Sequence, residues 1–450
     1  MRRSQRFTTA PIRCRACWSL VIFGSPQLPA TSARNKRVSD STSAAAGPLR
    51  GVRVIEAASF VAGPSAGLAL SQLGAEVIRV DPPGGGSDFG RWPLSRKGMS
   101  LFWANLNRGK KSVTIDHRTP EGRELLLGLI TAPGAGRGIL VDNMVGRQRI
   151  RHEELTDRRS DVIHVHIEGR RGGLPAVDYS INAEVGVPLM TGPRDSTAPV
   201  NHVLPAWDLV TGMIAANSVS AGLVRRDRTG AGSKIDVALS DVALAGVAEM
   251  GWLAEARESG TARPRLGNHM FGTFGVDFET NDRRRLMVIA LTRGQWHALQ
   301  RATGTEDVFV ALATTFGADL GDEGERFRYR ETIESVLKPW FSARDFDEVR
   351  VRLDESRVLW SPYRDMAQVV EAALADTSSI VREIDQPGVG PMLSTAAPWR
   401  WGDQHAHSKP APELSRDTDD VLRDSLGLSA AELHGLRERG VIASGSARTD

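Results

Sequence analysis

The stretch "GVRVIEAASFVAGPSAGLALSQLGAEVIRVDPP", beginning at Gly51, constrains the fold more than any other part of the chain. "VRVIEAA" and "EVIRVDPP" are β-branched, apolar runs of strand length. Between them "AGLALSQLGA" has helical spacing, with Pro64 and Ser65 suited to its start and Gly74 to its end. A strand–helix–strand unit of this size makes two parallel strands with a helix on one face. The pattern continues: "KKSVTIDHR", "GILVDN" and "DVIHVHIEG" read as further strands, and "TPEGRELLLGLI" as a capped helix between the first two. The expected fold is α/β: a large Rossmann-like three-layer domain built on a parallel sheet.

Beyond that domain, "RRDRTGAGSKIDVALSDVALAGVAEMGWLAE" reads as a basic turn, a strand and a helix. "RPRLGNHMFGTFGVDFETNDRRRLMVIALTRGQWHALQRATG" reads as a hairpin region followed by a strand–helix pair. These suggest a smaller α+β domain. Helical patterns resume at "RETIESVLKPWFSARDFDEVRVRL", and Ser429 with Glu432 forms a capping box near the end. The expected division is a disordered leader, or a start assigned too far upstream, over 1–47. The first part of the large domain follows over 48–224, the small domain over 225–335, and a linker with helices returning to the large domain over 336–450.

The net charge of +3 comes from the leader, where Arg2, Arg3, Arg6, Arg13, Arg15, Arg34, Lys36 and Arg37 all precede the first acid, Asp40. The remainder is net acidic, so a nucleic-acid face is not expected. No apolar run is long enough for a bilayer span, and a cytoplasmic protein is expected. Both cysteines, Cys14 and Cys17, lie in the leader. The body therefore has neither a cysteine nucleophile nor a disulfide. The lone CxxC spacing is weak evidence for zinc.

Several features carry possible chemistry. "NHVLPAWDLVTGMIAANSVSAGLV" places Asp208 ahead of a long uncharged run, where an acid can serve as a helix N-cap. "GPSAG" (Gly63 to Gly67) matches a hydrolase nucleophile elbow around Ser65, although a loop separates it from the strand and the match falls in the first unit. No GxGxxG or P-loop lysine occurs. Lys110, Lys111 and Arg118 surround one strand, as a solvated face or as a site for a phosphorylated ligand. His164 and His166 share a strand face and, lacking a third ligand at a recognisable spacing, read as packed histidines; no metal is expected. Asp178 lies in a Gly/Pro-rich loop, "RRGGLPAVDYS", that suits either a turn or a site.

Read in order, "PLRGVRVIEAASFVAGPSAGLALSQLGAEVIRVD", "LNRGKKSVTIDHRTPEGRELL", "LVDNMVG" and "RDTDDVLRDSLGLSAAELHGLRERGVI" resemble segments of the class III CoA-transferases, the formyl-CoA, carnitine and bile-acid CoA-transferase family. The resemblance covers essentially everything after the leader. It implies that Asp208 is a nucleophile, attacking an acyl thioester and then carrying CoA as an aspartyl thioester. An aspartate with an ordinary pKa of about 3.9 needs no helper base at neutral pH, and a helix N-terminus would favour its ionised form.

The resemblance further implies CoA contacts along Ile115, Asp116, His117 and Arg118, along Asn143, Met144 and Val145, and along Leu174, Pro175, Ala176, Val177 and Asp178, with Arg147 against a phosphate. It implies no permanently bound cofactor, a CoA thioester as substrate, and an interlocked homodimer. Two departures stand out: "DNMVG" lacks the family's usual proline, and "MFGTFG" keeps only Gly272 and Gly275 of a glycine-rich substrate loop, which should be stiffer. A racemase of the same fold is disfavoured because Val177 occupies the place of its histidine. "EGRRGGLPAVDYSINAEVGVPLMTGP", "NHVLPAWD" and "NHMFGTFGVDFET" look most like a branch that moves CoA between the two carboxyl groups of one methyl-branched diacid. Intermolecular transfer to another acid is the alternative.

Overall fold

Val54 and Ile55, neighbours in β1 (Arg53–Ala57), are both buried yet belong to different apolar cores. The same split recurs at Val77 and Ile78 in β2 (Glu76–Asp81), and at Leu140 and Val141 in β4 (Ile139–Asp142). Alternate side chains thus enter opposite layers, as a sheet covered on both faces requires. With β3 (Lys111–Ile115), β5 (Ile163–Glu168) and β6 (Ser233–Ala238), these strands form a sheet in the order β3-β2-β1-β4-β5-β6, all parallel. The computed structural model describes residues 47–401, 404–406 and 409–443, so the leader with Cys14 and Cys17 lies outside the described residues.

A seventh strand, Ile442–Ala443, pairs antiparallel with β3. It follows the helix Ala430–Glu438, capped by Ser429 and Glu432, whose Leu433 and Leu436 enter the core beneath β1–β3. Residues 430–443 thus pack on and pair with the large sheet. A separate apolar core lies between Phe274 and Val358, around an antiparallel sheet of β7 (Phe274–Glu279), β8 (Arg285–Ala290) and β9 (Leu359–Pro362). The hairpin expected there is present.

Three details differ from expectation. The first helix runs from Ala62 to Gln72, four residues earlier than its apolar pattern suggests. Pro64 fits its first turn because the N–H it lacks would have no partner there. The long helix Ala206–Thr229 runs past Val224, absorbing the basic "RRDRT" into its last turns before Gly230 (φ 70°) ends it. Residues 233–238, assigned by sequence to the smaller domain, are instead the edge strand of the large sheet.

Candidate active site

In an open parallel sheet, ligands bind beyond the carboxyl ends of the strands, where the strand order reverses. Here that point lies between β1 and β4, and Asn143 bridges it. Its side chain accepts the N–H of Ser59 (3.1 Å) and donates to the Ser59 carbonyl (3.0 Å), tying the end of β4 to the β1 loop. The next residue, Phe60, has φ 69°, a costly conformation for an aromatic side chain, and its N–H donates to Asp88 Oδ2 (2.9 Å).

Asp88 is fixed in turn by Arg79, which also forks onto Asp81 and reaches Asn107. Lys110 completes this buried network, donating to Glu56 Oε1 (3.0 Å), Asn107 Oδ1 (2.8 Å) and the Pro64 carbonyl (2.9 Å). Burial pushes the Lys110 amine down to about 8 against the pull of Glu56, and burial pushes Glu56 up. Lys110 therefore holds the floor of the site together. Its neighbour Lys111 pairs with Glu76 on the outside.

Asp208 stands in the first turn of the long helix, and Pro205 occupies the N-cap position without a side-chain cap. The cap comes from elsewhere. Asp178, buried at the start of the helix Asp178–Glu184, accepts the N–H of Trp207 (2.7 Å) and of Asp208 (3.2 Å) on Oδ2, while Oδ1 meets His202 Nε2 (2.9 Å). Capping by Asp208 is thus excluded, and its half-buried carboxyl is left for other work.

The net shift at Asp208 runs opposite to the one a helix N-terminus favours. Burial, then the like charge of Asp178, raise its pKa from 3.8 to about 6, and Arg91 opposes them. One turn on, Gly212 abuts the first helix: a Cβ there would lie 2.0 Å from Ser65 Oγ and 2.7 Å from the Ala62 carbonyl. Asp208 lies four residues away on that helix face, the one that packs against the start of the first helix. Ser65 is buried and donates to the Ala62 carbonyl (3.0 Å). It packs two helices closely and has no elbow geometry.

The other expected site residues divide clearly. Ile115 is fully buried in the core and paired with Ile442, so its side chain cannot reach a ligand. Asp116 and Arg118 fork onto each other (2.6 and 2.9 Å), with Arg118 exposed, and the His117 N–H donates to the Ile115 carbonyl. Met144 is largely buried, and Val145 is exposed beside it. Leu174, Pro175 and Val177 are exposed and Ala176 half-buried, on the loop leading to Asp178. Arg147 lines a cavity of about 670 Å³ in which basic residues (Arg123, Arg149, Arg151, Lys234) outnumber the acids Glu153 and Glu154, and Arg123 and Arg151 are paired with Glu154. Gly272 (φ 79°) has open space around it, but Gly275 belongs to β7, where Met270 packs over it. The expected two-glycine loop is therefore half strand.

His164 Nε2 (2.6 Å) and His166 Nδ1 (2.8 Å) both bond to the buried carboxylate of Asp142. Burial raises the pKa of Asp142, but the bonds from both histidines bring it below the ordinary value. The three groups could also ligate a metal, although the hydrogen bonds already satisfy the carboxylate.

The family model of "CoA-transferase family III" matches residues 49–418. The chain belongs to CoA-transferase family III. This CoA-transferase is 44% identical over 381 residues to a 2-methylfumaryl-CoA isomerase of Chloroflexus aurantiacus, an alignment covering 84% of this chain and 93% of that one. It is 27% identical to a succinyl-CoA:mesaconate CoA-transferase of Haloarcula marismortui, covering 73% of this chain and 83% of the relative. A CaiB/BaiF family protein from Brucella suis has the same fold, with a TM-score of 0.69 at 24% identity, covering 84% of this chain and 99% of that one.

Proposed function

We propose that this CoA-transferase moves CoA between the C1 and C4 carboxyl groups of mesaconyl-CoA (2-methylfumaryl-CoA), with Asp208 as the carrier. The observation that carries this reading is the 44% identity to a 2-methylfumaryl-CoA isomerase across 93% of that relative. The geometry supports the carrier. Asp208 has no capping duty, lies on the helix face that packs against the start of the first helix, and sits where partial desolvation makes a carboxylate more nucleophilic. With a pKa of about 6 it is mostly ionised at neutral pH.

In this reading one Asp208 oxygen attacks the C1 thioester carbonyl and CoA leaves as its thiolate. The thiolate then attacks the Asp208 carbonyl of the resulting anhydride, giving the aspartyl thioester and free mesaconate. The C4 carboxylate attacks that thioester, and the returning thiolate yields the C4 ester and regenerates Asp208. CoA lies along Asp116, His117, Arg118, Asn143, Met144, Val145, Arg147 and the loop 174–177. The side chains of Ile115 and Asp178 serve the core and the helix cap instead.

A homodimer in the cytoplasm belongs to the same reading. Exposed Val210, Met213 and Ile214 on the long helix, and Met366, Val369, Val370 and Leu374 on the helix Met366–Ala375, are apolar surface that a second copy would cover. Intermolecular transfer is the second reading, favoured by the 27% identity to succinyl-CoA:mesaconate CoA-transferases. The test is incubation with mesaconyl-CoA as sole substrate, followed by chromatography of the CoA esters and peptide mass spectrometry after hydroxylamine trapping. Formation of the C4 ester with a hydroxamate on Asp208 is expected. An unchanged substrate, or activity surviving in Asp208→Ala, would overturn the proposal.

A further inference from the structure

Arg91 is the cation whose charge acts on Asp208. Its guanidinium lies 5.7 Å from the ring centre of Phe60 and 5.4 Å from that of Phe102. Its backbone is pinned on both sides: the N–H donates to the Asp88 carbonyl (3.1 Å), and the carbonyl accepts Ser100 Oγ (2.5 Å). Phe60 is held in its left-handed conformation by the carboxylate of that same Asp88. Two rings and two backbone bonds therefore seat an exposed arginine beside the β1 loop, near enough for its charge to act on Asp208. Among the described residues this guanidinium forms no ion pair with an acid, whereas Asp178 is committed to the Trp207 and Asp208 N–H groups and His202. A costly backbone conformation kept beside a solvent-accessible cation that is seated on two rings and has no acid partner points to a ligand for that cation.

We propose that Arg91, seated on Phe60 and Phe102, binds the free carboxylate of a dicarboxylic acyl group and retains the diacid while Asp208 holds CoA. The inference rests on the reading of Asp208 as the CoA carrier. Between half-reactions Asp208 is an uncharged thioester, and the released diacid carries two negative charges near Asp178, so a cation is what would hold it in the site. A guanidinium is a planar fork that takes a carboxylate through two parallel hydrogen bonds, and it accepts either end of a symmetric-charge diacid. Before transfer it holds C4 while C1 is esterified; afterwards it holds C1 while C4 is esterified. No bond to Arg91 forms or breaks. Its contribution is selection of dicarboxylic over monocarboxylic acyl groups and retention of the intermediate acid, which keeps the second step effectively unimolecular.

The experiment uses the full-length enzyme and Arg91→Gln, with Arg91→Lys as the charge-conserving control and unfolding midpoints to show that the variants are folded. Calorimetry in the presence of CoA compares mesaconate with crotonate. Wild type should bind the diacid at least tenfold more tightly than the monoacid. Arg91→Gln should lose that preference while crotonate binding stays the same, and Arg91→Lys should keep part of it. In turnover of mesaconyl-CoA with excess labelled mesaconate, Arg91→Gln should incorporate several-fold more label than wild type. An intact dicarboxylate preference and unchanged label retention in Arg91→Gln would overturn the clamp while leaving the isomerase reading in place. If wild type does not isomerise mesaconyl-CoA but the Arg91-dependent preference is present, the isomerase reading falls and the clamp stands.

Discussion

Replacing Asp208 by Asn should abolish turnover and at the same time stabilise the fold. The rise of its pKa from 3.8 to about 6 means that folding disfavours the ionised carboxyl. Converted at about 1.36 kcal/mol per pH unit, the cost at pH 8 is at most about 3 kcal/mol. Because the group is only half-buried, solvent screening reduces this to roughly 1–2 kcal/mol. The sign follows from proton linkage: a raised acid holds its proton more tightly when folded, so the cost is absent below the unfolded pKa, grows between 3.8 and about 6, and is constant above. Asn keeps the shape and removes the charge, so it recovers that cost. The gain should be full at pH 8 and about half as large at pH 5. Thermal unfolding with a dye reporter at both pH values measures it; for a chain of this size the shift at pH 8 is about 1–2 °C. An N-capping aspartate behaves oppositely, losing about 1 kcal/mol on removal. A lower midpoint for Asp208→Asn at pH 8 would refute both the burial argument and the assignment of the cap to Asp178.

Asp178→Ala strands two backbone donors and His202 in a half-buried place and should cost about 1–3 kcal/mol in denaturant unfolding. If enough folded enzyme survives for a pH profile, its acid limb should move below that of wild type, because the like charge next to Asp208 is gone. In wild type that limb should fall off as the pH drops through about 6. Gly212→Ala drives a methyl into Ser65 and the Ala62 carbonyl. The strain of about 1–3 kcal/mol should come with a loss of kcat of about 100-fold, because Asp208 moves with its helix. Ser65→Ala removes one buried hydrogen bond; it should cost about 1 kcal/mol and leave turnover within a few-fold of wild type, whereas a serine hydrolase would lose nearly all of it.

The parallel sheet was legible because its strands are buried on both faces, so that runs such as "VRVIEAA" and "GILVDN" are apolar in themselves. Strand β9 and Ile442–Ala443 were not, since each is short and is a strand only through the partner it finds in β8 or β3. Asp208 stood out as an acid before an uncharged run. Its true environment did not, because the group that caps its helix lies 29 residues upstream of Trp207 and the burial that sets its acidity is tertiary. The same holds for Lys110, whose charged sequence context "NRGKK" gives no sign that its amine turns inward to Glu56. Arg91 lies in "SDFGRWPLS", which has no periodicity to mark it. Only the folded loop, held by Asp88 and Ser100, places its guanidinium over Phe60.

That CoA passes from one end of a single diacid to the other is best tested by supplying mesaconyl-CoA, unlabelled, in the presence of excess carbon-13-labelled free mesaconate, and reading the mass of the C4 ester at low conversion. Intramolecular transfer through Asp208 gives a C4 ester almost free of label, with the same initial rate whether or not free acid is added. A C4 ester carrying the label of the free pool, or a rate that depends on added acid, would contradict it and make the enzyme an intermolecular CoA-transferase.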